Sequence, residues 1–395
     1  MLRGKTIVLG VTGSIAAYKM ADVASALIKL NADVHVLMTE NATNFINPIT
    51  FETLTSNKCI VDTFDRDFDF DVKHISLAQK ADLFMIAPAS ANVIGKVANG
   101  IADDMLTTTL MACECPVLIS PAMNTRMYEN PILQDNISKL EGYGYKFIEA
   151  TSGRLACGDT GKGKLPAPEI LLDHILREVA CEKDMAGLKL LVTAGPTREA
   201  IDPVRYITNH SSGKMGYAIA RRAMLRGADV TIVSGEVAIA APPFVDKVDI
   251  VSAGDMYEAV LDRYEDMDII VMAAAVADYK PCNVAQDKIK KSDSNMSIAL
   301  SRNEDILKYV GNHSKPGQVI CGFSMETKDL LENSTKKLLS KKADMIAANN
   351  LRAKDAGFKT DNNTLTLITA NNVEELDNMS KDDAANILLD RLLAI

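Results

Sequence analysis

Thr6-Ile7-Val8-Leu9-Gly10-Val11-Thr12-Gly13-Ser14 decides the fold. The apolar run reads as a strand, and the glycines around Thr12 read as a tight turn. Beyond the turn, Ala16, Met20, Val23, Ala24 and Leu27 repeat at helical spacing. Ala32–Met38 then reads as a second strand. Strand, helix and strand make a βαβ unit, which builds parallel sheets with ligands beyond the strand carboxyl ends. Further strands are predicted at Leu83–Ala87 and Val117–Ser120, with a helix over Ala98–Ala112 between them. A helix over Pro168–Ala180 closes this half.

The same layout restarts at Leu190-Leu191-Val192-Thr193, followed by the turn Gly195-Pro196, a helix over Met215–Arg226 and a strand over Gly227–Val233. The stretch GADVTIVSG repeats the pattern of NADVHVLMT in the first half. Strands follow near Ile269–Ala273, Val319–Cys321, Met345–Ala348 and Thr364–Ile368. The charged stretch Cys181–Asp184 marks the boundary, giving domains 1–183 and 184–395. The fold class is α/β: two Rossmann-like domains with mainly parallel sheets. Tyr279–Ala299 is polar, lysine-rich and without a period, and reads as a loop or lid.

Composition excludes several classes. The 395 residues are 47% hydrophobic and 24% charged, an ordinary globular balance. No apolar run approaches membrane-spanning length, and no leader-like segment opens the chain, so a cytoplasmic location is expected. The net charge of -9 offers no basic stripe for nucleic acid. Seven cysteines, without a CxxC pair, are neither a disulfide framework nor a zinc set.

Several short motifs have the chemistry of ligand sites. Gly10-Val11-Thr12-Gly13-Ser14 places glycines where backbone N–H groups and a helix dipole can meet an anion. It is neither a full GxGxxG nor a P-loop. Ala87-Pro88-Ala89-Ser90-Ala91-Asn92 ends a strand in small residues, leaving room for a planar ligand; Ser90 is equally a helix cap. Asn124 in PAMNTRM offers a donor and an acceptor suited to a carboxylate, or simply makes a turn. Cys157 sits among glycines and near lysines, as a reactive thiol or an incidental one. His74 opens a helix and needs a partner to act as a base.

In the second half, hydroxyls, glycines and Lys214 crowd a helix start at Ser211-Ser212-Gly213-Lys214-Met215-Gly216, which is phosphate chemistry by type. Ala273-Ala274-Ala275 would let a nucleotide lie on a strand end. Lys288, Lys290 and Lys291 could neutralise polyphosphate, or form a solvated charge run.

Together these residues resemble a known family. The motifs GVTGSIAAYK, HISLA, APASAN, ANGIADDMLTTTLMA, PAMNTRM, LACG, TAGPTRE, ITNHSSGKMG, AAAVADY, KIKK and GFSMET occur in that order across the chain. They are similar to the bifunctional phosphopantothenoylcysteine decarboxylase/phosphopantothenate–cysteine ligases of coenzyme A biosynthesis. The resemblance implies a first domain of the flavin-containing cysteine decarboxylase type. FMN would be held by Gly13, Ser14, Thr39 and Ser90. His74 would be the base, Asn124 would grip the substrate carboxylate, and Cys157 would donate a proton from a flap.

For the second domain the resemblance implies magnesium-dependent activation of 4'-phosphopantothenate by CTP, followed by attack of cysteine on the acyl-cytidylate. Arg205 and Asn209 would bind the intermediate, and Lys288 would stabilise the charge of activation. Ala273, Ala274, Ala275, Asp278, Asn303, Glu304, Asp305, Ile306, Phe323, Lys337 and Lys341 would complete the CTP pocket. The metal ligands are not specified. Decarboxylase trimers joined through ligase dimers would give a homo-oligomer, a dodecamer. Glu304, Lys164 and Met325 depart from the family's usual proline, arginine and alanine. A regulatory flavoprotein is the alternative reading; it predicts no ligase motifs. A nicotinamide dehydrogenase would require a complete GxGxxG.

Overall fold

The computed structural model describes residues 1–64, 73–154, 158–290, 296–326, 329–350 and 361–395. The chain divides into two units, Met1–Cys181 and Glu182–Ile395.

The first unit runs β1 (Thr6–Val11), α1 (Lys19–Lys29), β2 (Asp33–Met38), α2 (Pro48–Thr55), α3 (Lys73–Lys80), β3 (Leu83–Ala89), α4 (Ala91–Ala98) and α5 (Met105–Met111). It continues through β4 (Val117–Pro121), α6 (Thr125–Tyr128), α7 (Pro131–Gly142), β5 (Lys146–Phe147), the hairpin β6 (Thr151–Arg154) and β7 (Thr160–Lys164), and α8 (Pro168–Val179). The five-stranded sheet has order β2-β1-β3-β4-β5, and every pair is parallel. Strand alternation sends Val8, Phe84, Ile86 and Ile119 into one core layer with Leu77, Val93, Leu106 and Leu133 from the helices. Ile7, Leu9 and Met85 point the other way and are equally buried, and α1 packs on α2 and α8.

One sequence expectation is corrected. The helix predicted over Ala98–Ala112 is confined to α5, Met105–Met111; residues 99–104 are non-helical, and α4 ends at Ala98, where the predicted range begins. Gly100 adopts φ +68°, and Asp104 starts α5 afresh with a capping box to Thr107.

The second unit runs β8 (Lys189–Ala194), β9 (Arg198–Ala200), β10 (Tyr206–Thr208), α9 (Lys214–Leu225), β11 (Asp229–Ser234), β12 (Asp246–Asp249), α10 (Ala253–Leu261) and β13 (Ile269–Met272). After these come β14 (Tyr279–Pro281), β15 (Leu300–Arg302), α11 (Ile306–His313), β16 (Val319–Glu326), α12 (Leu330–Lys341) and β17 (Met345–Asn350). The chain ends with β18 (Asn362–Asn363), β19 (Leu365–Thr369), β20 (Val373–Glu375), β21 (Met379–Ser380) and α13 (Lys381–Leu393). The main sheet has order β12-β11-β8-β13-β16-β17-β19-β20. Its first six strands are parallel, and β19 and β20 add an antiparallel edge. The segment expected to be a loop opens with a strand: β14 pairs antiparallel with β15, which directly follows the segment.

Helix α9 lies hard against β8. A Cβ on Gly216 would stand 2.7 Å from Ala194 Cβ and 3.0 Å from the Thr193 carbonyl oxygen. Gly216→Ala is therefore expected to destabilise the second unit by about 1–3 kcal/mol through overpacking. A denaturant melt of the variant checks this; an unchanged midpoint would show that the helix shifts freely.

Candidate functional site

Both sheets change winding direction beside their first strand, between β1 and β3 and between β8 and β13. Such switch points open a crevice at the carboxyl edge. In both units a threonine bridges that crevice. Thr12 is fully buried; its hydroxyl donates to the Pro88 carbonyl at 2.6 Å and accepts from the Ser90 N–H at 2.9 Å. Thr193, also fully buried, accepts from the Ala274 N–H at 3.1 Å. Thr197 accepts from the Ala277 N–H at 3.0 Å. The sequence reading gave these threonines no role. The shared signal is a threonine at the carboxyl end of the first strand of each unit, Thr12 just past β1 and Thr193 one residue before the end of β8.

In the first unit, Gly13 has no room for a side chain, because its Cβ would stand 2.9 Å from Asn41 Cβ. Ser14 accepts from the Ala16 N–H, and Ser90 accepts from the Val93 N–H and caps α4. Thr39 follows β2 at the same edge, and Ser120 lies near the end of β4. The hydroxyl oxygens of both are buried and have no hydrogen-bond partner among the described residues. A polar ligand at this edge would supply those partners, so the residues present fit a flavin phosphate or ring edge.

Asn124 caps α6 by accepting from the Arg126 N–H at 2.9 Å, and its amide donates to Asp159 at 3.2 Å. The flap strand β7 lies directly on this loop. The Met123 N–H donates to the Gly163 carbonyl at 3.0 Å. A Cβ on Gly161 would meet Thr125 Oγ1 at 2.6 Å. His74 is half-buried at the first turn of α3. A helix that feeds a parallel strand begins at the sheet's carboxyl edge, which puts His74 on the side of Ser90 and Asn124. Cys157 lies outside the described residues.

The second unit carries a cleft of about 640 Å³. It gathers Ala274, Asp278, Asn303, Glu304, Asp305, Ile306, Phe323, Lys337 and Lys341. Asn303 is held by its amide, which donates to the Ala277 carbonyl at 2.8 Å. Its Oδ1 is buried without a partner among the described residues, leaving an acceptor for a ligand donor. Asp305 caps α11 through the Lys308 N–H and pairs with Lys341. Burial pushes the Asp305 carboxyl up, but Lys341, the Lys308 amide and Lys337 hold it below its ordinary value. Lys337 donates to the Phe323 carbonyl at 2.8 Å. The departing residue Glu304 lies 3.6 Å from Lys280.

A smaller cavity of about 130 Å³ adjoins this cleft, sharing Ala274 and Phe323. Ala273 and Ala275 line the smaller cavity, as does Met325. Arg205, Asn209 and Lys288 line neither. Asn209 donates to the Ala275 carbonyl at 3.1 Å. Arg205 donates through Nε to Asp202 at 3.0 Å and through Nη2 to the Ile289 carbonyl at 3.0 Å. Asp202 also accepts from the Ile289 N–H at 3.1 Å. Arg205 and Asp202 thus clamp the base of the lysine segment, with Lys288 exposed beside it.

The Arg205 guanidinium, helped by the Val204, Ile289 and Arg205 amides, holds the Asp202 carboxyl well below its ordinary value of 3.8. A depressed carboxyl contributes stability above its unfolded value and loses it only as pH falls through the lower folded value. The clamp is therefore intact at neutral pH and fades only in strong acid. Asp202→Asn is expected to speed hydrogen exchange at the Ile289 amide at every pH above about 4. Unchanged exchange would assign the anchoring to β14 and β15 alone.

Two doubly wound α/β units, each with polar groups converging on a switch-point crevice, define a two-domain protein of the Rossmann-like class. The sequence profile described as Flavoprotein matches residues 1–180. The profile of the DNA/pantothenate metabolism flavoprotein C-terminal domain matches residues 185–395. The coenzyme A biosynthesis bifunctional protein CoaBC of Bacillus subtilis (strain 168) is 45% identical over 399 residues, covering 100% of this chain and 98% of the relative. That of Escherichia coli (strain K12) is 39% identical over 395 residues, covering 99% and 97%. A crystal structure of the C-terminal domain of a CoaBC protein is 41% identical, covers 53% of this chain and 95% of its own, and has a TM-score of 0.46. The chain belongs to the CoaBC family of bifunctional coenzyme A biosynthesis enzymes, which pair a ligase with a decarboxylase.

Among the described residues, no helix is long and apolar enough to cross a membrane.

Proposed function

We propose that residues 184–395 join 4'-phosphopantothenate to cysteine at the expense of CTP, and that residues 1–183 decarboxylate the product to 4'-phosphopantetheine with FMN. The observation that carries the ligase reading is the 640 Å³ cleft, where nine residues named from sequence converge. In this reading the Asn303 acceptor and the Lys337 and Lys341 ammonium groups orient the nucleotide. The substrate carboxylate attacks the α-phosphorus, and the bond to the β-phosphate oxygen breaks. Lys288 offsets the charge that builds on the transferring group, and Asn209 orients the acyl intermediate beside Ala275. Arg205 acts through Asp202 by placing the lysine segment. Among the described residues no group of three or more metal-ligating side chains gathers. Magnesium would screen the charge of the triphosphate.

In the first unit, Thr39, Ser14, Ser90 and the backbone at Gly13 would hold FMN. Bound flavin supplies the two-electron acceptor that gives the cysteinyl carboxylate an electron sink for its departure. Asn124 positions that carboxylate, His74 takes a proton as base, and Cys157 returns one. The family's assembly as a cytoplasmic dodecamer is part of the same proposal.

The test combines purified protein, 4'-phosphopantothenate, cysteine, magnesium and CTP. Pyrophosphate and carbon dioxide release are followed together with the flavin spectrum. A yellow protein releasing both, with carbon dioxide lost in Cys157→Ser, supports the reading. A yellow protein that releases neither product, even when each half is given its own substrate, favours a regulatory flavoprotein.

A further inference from the structure

Cys113-Glu114-Cys115 is the one place in the chain where two cysteines stand a single residue apart. The tripeptide bridges α5 and β4, and its backbone is pinned on both sides. The Cys113 N–H donates to the Leu110 carbonyl at 3.1 Å, and the carbonyl of Pro116, the next residue, accepts from the Phe84 N–H at 3.0 Å. Both thiols pack against the core layer of the first unit and are only partly buried. They also meet each other: the Cys113 thiol donates a hydrogen bond to the Cys115 sulfur. The pair lies before the amino end of β4, whereas Asn124 follows its carboxyl end. The reactions proposed above use neither sulfur.

Two features separate this pair from incidental thiols. The first is charge. The hydrogen bond from Cys113, with the backbone amides of Cys115 and Phe84, lowers the Cys115 thiol below its ordinary value, against burial and the nearby Asp82 carboxylate. The same hydrogen bond, and burial after it, hold the proton on Cys113. Cys115 is therefore the attacking sulfur and Cys113 the resolving one. By contrast, burial pushes the Cys59 and Cys321 thiols up to about 12 and keeps them inert. The second feature is ring size. A disulfide across one intervening residue removes little entropy from the unfolded chain. Such a bond stabilises the fold little and, strained by its short ring, is readily reduced again.

We propose that Cys113 and Cys115 form a redox-active dithiol whose reaction partner is a low-molecular-weight disulfide. The Cys115 thiolate attacks one sulfur of that disulfide, its S–S bond breaks, and the departing thiolate takes a proton from water. Cys113 then gives its proton to solvent, and its sulfur attacks Cys115. This expels the second small thiolate, which is protonated in turn. The pair loses two electrons, and the small disulfide gains them and ends as two thiols. An excess of small thiol runs the same steps backwards. Partial exposure admits a small reagent to Cys115, and the pinned backbone keeps Cys113 in place to close the ring. Cystine, the disulfide of the ligase's proposed amino-acid substrate, is the probe.

The test treats the reduced, full-length protein with cystine in the absence of oxygen and maps its tryptic peptides by mass spectrometry. Residues 97–126 form one such peptide, with Cys113 and Cys115 as its only cysteines. That peptide is expected to become lighter by two hydrogen atoms and to be restored by dithiothreitol. Cys113→Ser should instead hold cysteine as a mixed disulfide on Cys115. Cys115→Ser should form the corresponding adduct on Cys113 about tenfold or more slowly. The oxidised protein should melt close to the reduced one. A peptide that stays a dithiol while the exposed Cys282 is modified would overturn the proposal. So would mixed disulfides that never close into a ring, or a bond between two chains. Equal adduct rates in the two variants would overturn the division of roles. A large rise in melting temperature on oxidation would make the bond a structural staple instead. A tightly held zinc or copper ion that blocks oxidation would make the pair a metal site.

Discussion

Replacing His74 with glutamine is expected to lower carbon dioxide release by about 10²–10⁴-fold while leaving pyrophosphate release intact. Glutamine keeps a donor and an acceptor of similar reach but cannot take a proton at the operating pH. The change should leave the fold in place, because α3 is anchored by Leu77 in the core rather than by its second residue. The measurement is decarboxylation of 4'-phosphopantothenoylcysteine by the flavin-loaded variant, followed across pH. Loss of the rate limb assigned to a base supports the role. A variant with full activity and an unchanged pH profile would remove His74 from the chemistry and reduce it to a helix-start residue.

Lys288→Ala carries the second large effect: a fall of about 10²–10³-fold in pyrophosphate formation, with decarboxylation untouched. The argument is positional. Lys288 is exposed and lines neither cavity, yet its neighbour Ile289 is fixed at both backbone atoms by Arg205 and Asp202. A free side chain on an anchored backbone can swing onto a bound triphosphate without reorganising the chain. The loss should therefore appear in kcat more than in the KM for CTP, because charge on the transferring group is greatest in the transition state. Lys288→Arg, which keeps the charge but alters its reach, should recover part of the rate. If Lys288→Ala raises KM alone, the residue binds nucleotide uniformly. Full activity would make this lysine run a solvated one. The Asp202→Asn variant provides the matching control, since it releases the anchor and keeps the lysine.

Much of this architecture is legible in the chain by itself. The apolar run Thr6–Leu9 and its turn specify β1 and the crevice above it, because strand and helix periodicity depend on residues within a few positions of one another. The two halves, their parallel strands and the order of the ligand motifs follow from the same local signals. The non-helical stretch at Gly100 escaped that reading, which began its helix at Ala98 and passed over the turn at Gly100 and the cap at Asp104.

Other features only the tertiary structure decided. The Thr12 hydroxyl meets Ser90 across 78 positions of chain, and Thr193 meets Ala274 across 81. Asp202 reaches Ile289 across 87. Lys381 of α13 and Asn349 of β17 line one small cavity with the amino end of α9, far along the sequence from it. No local pattern encodes such pairings. A buried hydroxyl, carboxylate or ammonium is stabilised by the partner that folding delivers to it, and the identity of that partner is fixed by sheet order and helix packing rather than by sequence neighbours.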